Sequence, residues 1–169
     1  MIRLESIAHA HATLLTDAIE ASVADLSQWL GPRYTPRTAE AVAAFIDDWS
    51  SGAANGTHYG FVAIDDDVRC IGFGLINQVN VFHRFANLGY WVRSGQTGKG
   101  VATEITRQLA DFAFSTLKLE RIELVIEVSN VASQRVAEKA GAVREGLLRR
   151  RLAGRDGPSR DAYMFSLIR

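Results

Sequence analysis

A mixed α/β or α+β sheet, rather than a regular doubly wound one, is predicted by three stretches of the sequence. Leu88–Arg93 is an apolar, aromatic-rich run that reads as a strand. A glycine-rich turn, Ser94–Gly100, follows it, and then Val101, Ile105, Leu109, Phe112 and Ala113 recur at helical spacing. Arg121–Val128 alternates Ile122, Leu124 and Ile126 with Glu123, Val125 and Glu127, a strand, and a shorter helical pattern follows from Asn130 to Gly141. Tyr59–Ile64 and Val68–Gln78 flank Asp65-Asp66-Asp67, the pattern of an antiparallel hairpin. Helices join some strands and tight turns join others, so the sheet must mix strand directions.

The remaining elements fall around these. Ile2–Ile7 alternates and reads as a short first strand. From about His9 a helical stripe runs through Leu15, Ile19, Val23, Leu26 and Leu30, and Gly31-Pro32 stop it. Thr38 is a cap for a second helix with Val42, Phe45, Ile46 and Trp49 inward, and the small polar run Ser50–Thr57 reads as a loop. Phe85–Arg93 is the strand before the glycine turn, and the helix after it extends to about Leu117. Val143–Leu152 and Asp161–Ile168 are two last strands joined by a turn at Gly154-Arg155-Asp156-Gly157-Pro158. No repeat interrupts this order, and 169 residues fit one domain spanning the whole chain, 1–169.

Composition narrows the function. Lys plus Arg and Asp plus Glu number 19 each, so no global basic field points to nucleic acid or a membrane surface. The arginines that crowd the C-terminal region, from Arg144 to Arg160, read first as a solvated charged edge and second as a face for an anionic ligand. A single cysteine, Cys70, permits no internal disulfide and suits a reducing cytoplasm. We expect a cytoplasmic protein, without a signal peptide or a membrane span. The three acids at 65–67 lack the glycine and glutamate of a calcium loop, so no metal site is expected.

Strand, glycine turn and helix together suit phosphate. The first turn of a helix has free N–H groups at a positive dipole end, and glycines let an anion approach the backbone. Spacing tests which phosphate loop this is. The Walker pattern G-x-x-x-x-G-K-[ST] fails at both ends, with Arg93 before Gly98-Lys99 and Gly100 after them. The dinucleotide pattern G-x-G-x-x-G fails at its last glycine, where Thr103 stands.

A third pattern fits. Gln96-Thr97-Gly98-Lys99-Gly100-Val101-Ala102 resembles the Q/R-x-x-G-x-G/A pyrophosphate loop of the GNAT superfamily of acetyltransferases. Leu88-Gly89-Tyr90-Trp91-Val92 before it, Asn130-Val131-Ala132-Ser133-Gln134-Arg135-Val136-Ala137-Glu138-Lys139-Ala140-Gly141-Ala142 after it, and then Glu145-Gly146, resemble the RimJ/RimL branch, which acetylates protein N-terminal amines. The resemblance implies a twisted, mostly antiparallel sheet of about seven strands with a splayed parallel pair, flanked by about four helices. It implies acetyl-CoA as donor, an amine acceptor that is most simply a protein N-terminus of the ribosomal-protein type, and a homodimer as one assembly. Trp91, Val92 and Arg93 are assigned on this basis to the pantetheine arm. Gln96, Thr97, Gly98, Lys99, Gly100, Val101 and Ala102 are assigned to the pyrophosphate, and Asn130 and Ser133 to the second helix's contact with the coenzyme. Read from the residues alone, Trp91 equally suits a core position and Asn130 a helix cap.

The catalytic residues are less specified. Many GNAT enzymes carry a tyrosine where this chain has Ala137, which makes the Ser133 hydroxyl the candidate at the departing sulfur. A free α-amino group has a pKa near 8, roughly two to three units below a lysine side chain, so a weak base suffices. Glu127 is the candidate base and Glu123 shares its face, although either can instead pair with a strand arginine. His83 is a further possibility. The resemblance places an acid shortly after Glu145-Gly146, where this chain has Leu152. Direct attack in a ternary complex is expected, with Cys70 buried in the hairpin and dispensable. Two alternatives keep the donor: acetylation of a small amine (aminoglycoside, polyamine or amino acid) and coenzyme binding without catalysis.

Overall fold

The computed structural model describes residues 1–154 and 157–169; part of the expected turn at 154–158 therefore lies outside the described residues. The strands are β1 (Arg3–Ser6), β2 (Tyr59–Ile64), β3 (Cys70–Asn80), β4 (Phe85–Val92), β5 (Arg121–Glu127), β6 (Val143–Leu152) and β7 (Arg160–Ile168). They form one sheet in the order β1-β2-β3-β4-β5-β7-β6. Every pairing is antiparallel except β4 with β5. The helices are α1 (Ala12–Glu20), α2 (Val23–Leu26), α3 (Ala39–Asn55), α4 (Val101–Ser115) and α5 (Val131–Ala140), with short 3-10 turns at His9–His11 and Pro32–Tyr34.

Strand alternation divides the core into two halves. Ala86, Leu88, Ile122, Leu124, Ile126 and Phe165 bury against α4 and α5. Trp91, Phe73, Val62 and Cys70 bury on the opposite face, against Leu15, Ile19, Phe45, Ile46 and Trp49 of α1 and α3. Gly74 shows how closely α4 seats. A Cβ there would stand 2.8 Å from side-chain carbons of Ile105 and Leu109.

The parallel pair is short. Only Phe85↔Arg121, Ala86↔Ile122 and Asn87↔Glu123 are in register. Beyond them β4 stays on β3 as far as Gly72↔Val92, and β5 stays on β7 as far as Glu127↔Ala162. Each strand keeps one partner and loses the other, so Leu88–Val92 and Leu124–Glu127 face each other across an open wedge.

Two expectations need correcting. The continuous N-terminal helix is broken after Glu20. At the break, Ser22 Oγ donates to the Ala18 carbonyl at 2.6 Å and accepts from the Ser94 N–H at 2.9 Å, which ties the segment to the exit of β4. This break accounts for five α-helices instead of about four. The expected loop Ser50–Thr57 is mostly helix. Its alanines are good helix formers, and α3 ends only where Gly56 takes a left-handed conformation, φ 72°. The caps read from sequence are present: Thr38 accepts from Ala41 N–H, Asn130 accepts from Ser133 N–H, and Gly141 closes α5.

Candidate active site

The wedge between β4 and β5 opens onto the glycine turn. Gly98 and Gly100 have φ of 76° and 84°, a conformation that L side chains rarely adopt. A Cβ at either would meet nothing within 4 Å, so the space over the turn is open. Gly100 caps α4 with no side-chain bond. From Thr97 to Thr103 no backbone N–H reaches a carbonyl among the described residues, whereas Glu104 N–H closes the first helical bond to Gly100. These N–H groups and the helix dipole form an anion cradle. Beside it, the free edge of β4 needs hydrogen-bond partners of its own, which an amide-bearing chain supplies.

The expected site residues fall into groups. Gly98, Lys99, Gly100, Val101 and Ala102 stand together at the turn and the start of α4, where a cradle for an anion would be built. Val101 buries its side chain and offers only its N–H. Lys99 Nζ lies 3.3 Å from Gln96 Oε1 and is exposed, as is Thr97. Val92 borders the wedge on the α4–α5 side. Trp91 is a core residue, 3% exposed and stacked on Phe73, so only its backbone can meet a ligand. Arg93 is largely committed: its guanidinium pairs with Asp17 at 2.6 Å and its N–H donates to the Ile71 carbonyl. Asn130 serves as the cap of α5, and Ser133, in the first turn of α5, is half-buried.

Glu127 is not free. Its carboxylate pairs with Arg160 Nη1 at 2.6 Å and accepts from Ser129 Oγ at 2.6 Å. Glu123 accepts from Arg121 Nε at 2.7 Å, and Arg121 also grips Glu145. The Arg121 guanidinium, together with the Ser166 hydroxyl, holds the Glu145 carboxyl down at about 2. His83 sits in the exposed turn after β3, away from the open end of the wedge. Cys70 is fully buried, and burial pushes its thiol up to about 11.

One group was missed from sequence. The Tyr90 hydroxyl is buried in the wedge and has no hydrogen-bond partner. Burial pushes it up to about 12, and the Ser133 side chain is the polar group beside it. The signal was present, since alternation puts Tyr90 on the face opposite Trp91, the face covered by α5.

A splayed parallel pair, a glycine turn at the start of α4 and a hydroxyl-bearing helix across the wedge are the features that the resemblance to coenzyme A-dependent acyltransferases implies. The sequence matches the acetyltransferase (GNAT) domain family over residues 2–143, and the chain belongs to that family. It is therefore an N-acetyltransferase that uses acetyl-CoA. The provisionally named ribosomal N-acetyltransferase YdaF of Bacillus subtilis is 31% identical over 147 residues, 85% of this chain and 78% of its own length. A spermidine N(1)-acetyltransferase of Vibrio cholerae is 31% identical over 88 residues, 52% of this chain. That match spans 51% of the relative's length, as does the match to YjcK, a B. subtilis relative. Among solved structures, Mycobacterium smegmatis RimJ in complex with CoA-disulfide superposes with a TM-score of 0.87 at 25% identity, covering 99% of this chain and 81% of that one. No metal-binding group of three or more His, Cys, Asp or Glu occurs among the described residues, and no described helix is long and apolar enough to cross a membrane.

Proposed function

We propose that this enzyme acetylates the N-terminal α-amino group of a protein, of the ribosomal-protein type, by direct attack in a ternary complex. The observation that carries the choice of acceptor is the Glu127–Arg160 pair. With its candidate carboxylate committed to an arginine, the site has little to offer an amine that must first lose a proton. An α-amino group, with a reference pKa near 8, is partly neutral unaided, whereas an aliphatic amine near 10 is not. Charge argues the same way. Level with Glu127 on the neighbouring strands, Leu147–Arg151 and Asp161 line an open concavity of about 750 Å³ that carries three consecutive arginines. A polycation approaching there meets positive charge. The similarity to YdaF and RimJ supports this reading, and the similarity to a spermidine acetyltransferase favours the polyamine as the alternative.

In this reading the Thr97–Thr103 N–H groups hold the pyrophosphate and the free edge of β4, Trp91–Arg93, holds the pantetheine amides. Acetyl-CoA brings the activated thioester, and the Ser133 hydroxyl faces its sulfur. The test is coenzyme A release, with mass spectrometry of the product, on a panel of free-amine peptides, spermidine and an aminoglycoside. Peptides acetylated at Nα and turned over at least tenfold faster than spermidine are expected; the reverse order overturns the proposal.

A further inference from the structure

We propose that Tyr90 is a positioning residue for the transfer step, donating its phenolic hydrogen to Ser133 Oγ and so aiming the Ser133 hydroxyl at the coenzyme A sulfur. The inference rests on the reading of Ser133 given above and adds the residue that makes it work. Three observations carry it. The Tyr90 hydroxyl is buried with no hydrogen-bond partner, although a buried tyrosine hydroxyl ordinarily finds one. It lies on β4 in the stretch Leu88–Val92, where the strand has parted from β5. The polar group beside it is the half-buried Ser133, in the first turn of α5. Two hydroxyls thus lie on opposite walls of the wedge, 43 positions apart in sequence, and are not hydrogen-bonded to each other in this structure.

The chemistry explains why two hydroxyls serve better than one. The acceptor nitrogen forms a bond to the thioester carbon, and the C–S bond breaks with its electron pair on sulfur. The nitrogen loses one proton and the sulfur gains one. Sulfur therefore carries growing negative charge, and a hydroxyl aimed at it in advance stabilises that charge without reorganising. A lone serine hydroxyl rotates freely. A serine oxygen that accepts from a phenol has its hydrogen directed elsewhere and is polarised toward giving it. Burial keeps the Tyr90 phenol protonated throughout the range in which an amine can attack, so it acts as a fixed donor and does not titrate.

The test is a double-mutant cycle of Tyr90→Phe and Ser133→Ala. Steady-state kinetics use acetyl-CoA with a peptide bearing a free N-terminal Ser or Ala, or spermidine if that is the better acceptor. Tyr90→Phe keeps the ring and removes one hydroxyl that carries no hydrogen bond in this structure, so the variant should fold as the parent does. Its kcat should fall about tenfold to a hundredfold with the KM for acetyl-CoA unchanged. In the Ser133→Ala background the same change should have no further effect. A loss in Ser133→Ala with none in Tyr90→Phe overturns the Tyr90 role and leaves Ser133 standing. Normal kcat in both overturns both readings. Losses that multiply in the double variant show that Tyr90 acts without Ser133, and a Tyr90→Phe protein that fails to fold assigns the hydroxyl to structure; either result overturns the proposal.

Discussion

The two ends of the β4–β5 pair are made from the same two strands and have opposite characters. At the closed end, Phe85–Asn87 is in register with Arg121–Glu123, and the charges nearby are consumed in a network: Arg121 binds Glu123 and Glu145, and Glu145 accepts from Ser166. At the open end the backbone edges are unpaired, the Tyr90 hydroxyl lacks a partner, and N–H groups stand free from Thr97 to Thr103. One end spends its hydrogen-bonding capacity on the fold and the other leaves it for ligands. Substitutions at the open end should therefore appear in kinetics, and those at the closed end in stability.

The largest effect is expected at Gly100. A β-branched residue at φ 84° costs about 1–3 kcal/mol of backbone strain, and the strained turn is the one proposed to hold pyrophosphate. Gly100→Val should raise the KM for acetyl-CoA about tenfold to a hundredfold, the equivalent of about 1.4–2.7 kcal/mol. Because nothing crowds the site, circular dichroism should show an intact fold. An unchanged KM would remove the cradle from the cofactor site.

Next is Arg160, which lies at the open end but is used as the closed end uses its arginines. Its pair with Glu127 is mostly buried, with side-chain exposures of 33% and 14%. Arg160→Met strands a carboxylate, at a cost between the surface and buried limits, about 1–3 kcal/mol. At about 2–4 °C per kcal/mol for a chain of this size, the melting temperature should drop by roughly 2–12 °C. Glu127→Gln should leave kcat within about threefold, because a carboxylate held by an arginine is a poor base. A loss beyond a hundredfold with the fold intact would reinstate Glu127 as the base.

What was legible in the sequence divides along the same line. The glycine turn, the caps Thr38 and Asn130, the Asp65 turn and the alternation of β5 are local patterns whose physics lies within a few residues, and each is where it was read. The Tyr90–Ser133 meeting, the Ser22–Ser94 clamp and the partners of Glu127 and Arg93 join segments far apart in the chain, and periodicity carries no information about them. Alternation did show that Glu127 and Glu123 share a face with strand arginines, but Arg160 becomes the partner of Glu127 only through the register of β5 on β7. The two misread helices divide the same way: Ser22 looks like a helix residue until the distant Ser94 bonds it, whereas Ser50–Asn55 is a local failure, because small polar residues suit both loop and helix.

At the closed end, Glu145 gives a pH signature. Its carboxyl is held at about 2 against an ordinary 4.5. The folded state binds its proton less readily than the unfolded chain. The stabilisation is therefore complete above about pH 4.5 and is lost as pH falls toward 2. With 39% of the side chain exposed, solvent screening keeps it to about 1 kcal/mol or less. Melting temperature measured against pH should fall less steeply across this window in Glu145→Gln than in the parent. Equal slopes would mean that the network contributes nothing.

The smallest effect separates the two possible sources of phosphate affinity at the open end. Lys99 is the one cation of the glycine turn, but it is exposed and its ammonium lies beside Gln96. If the backbone N–H groups and the helix dipole supply the binding, Lys99→Ala should raise the KM for acetyl-CoA only about twofold to threefold, with kcat unchanged. That increment should vanish at high salt, because screening removes an exposed charge's contribution while short, directed N–H contacts persist. An increase beyond tenfold would make the lysine, and not the backbone, the principal phosphate ligand. Gly98 and Gly100 would then serve only to turn the chain.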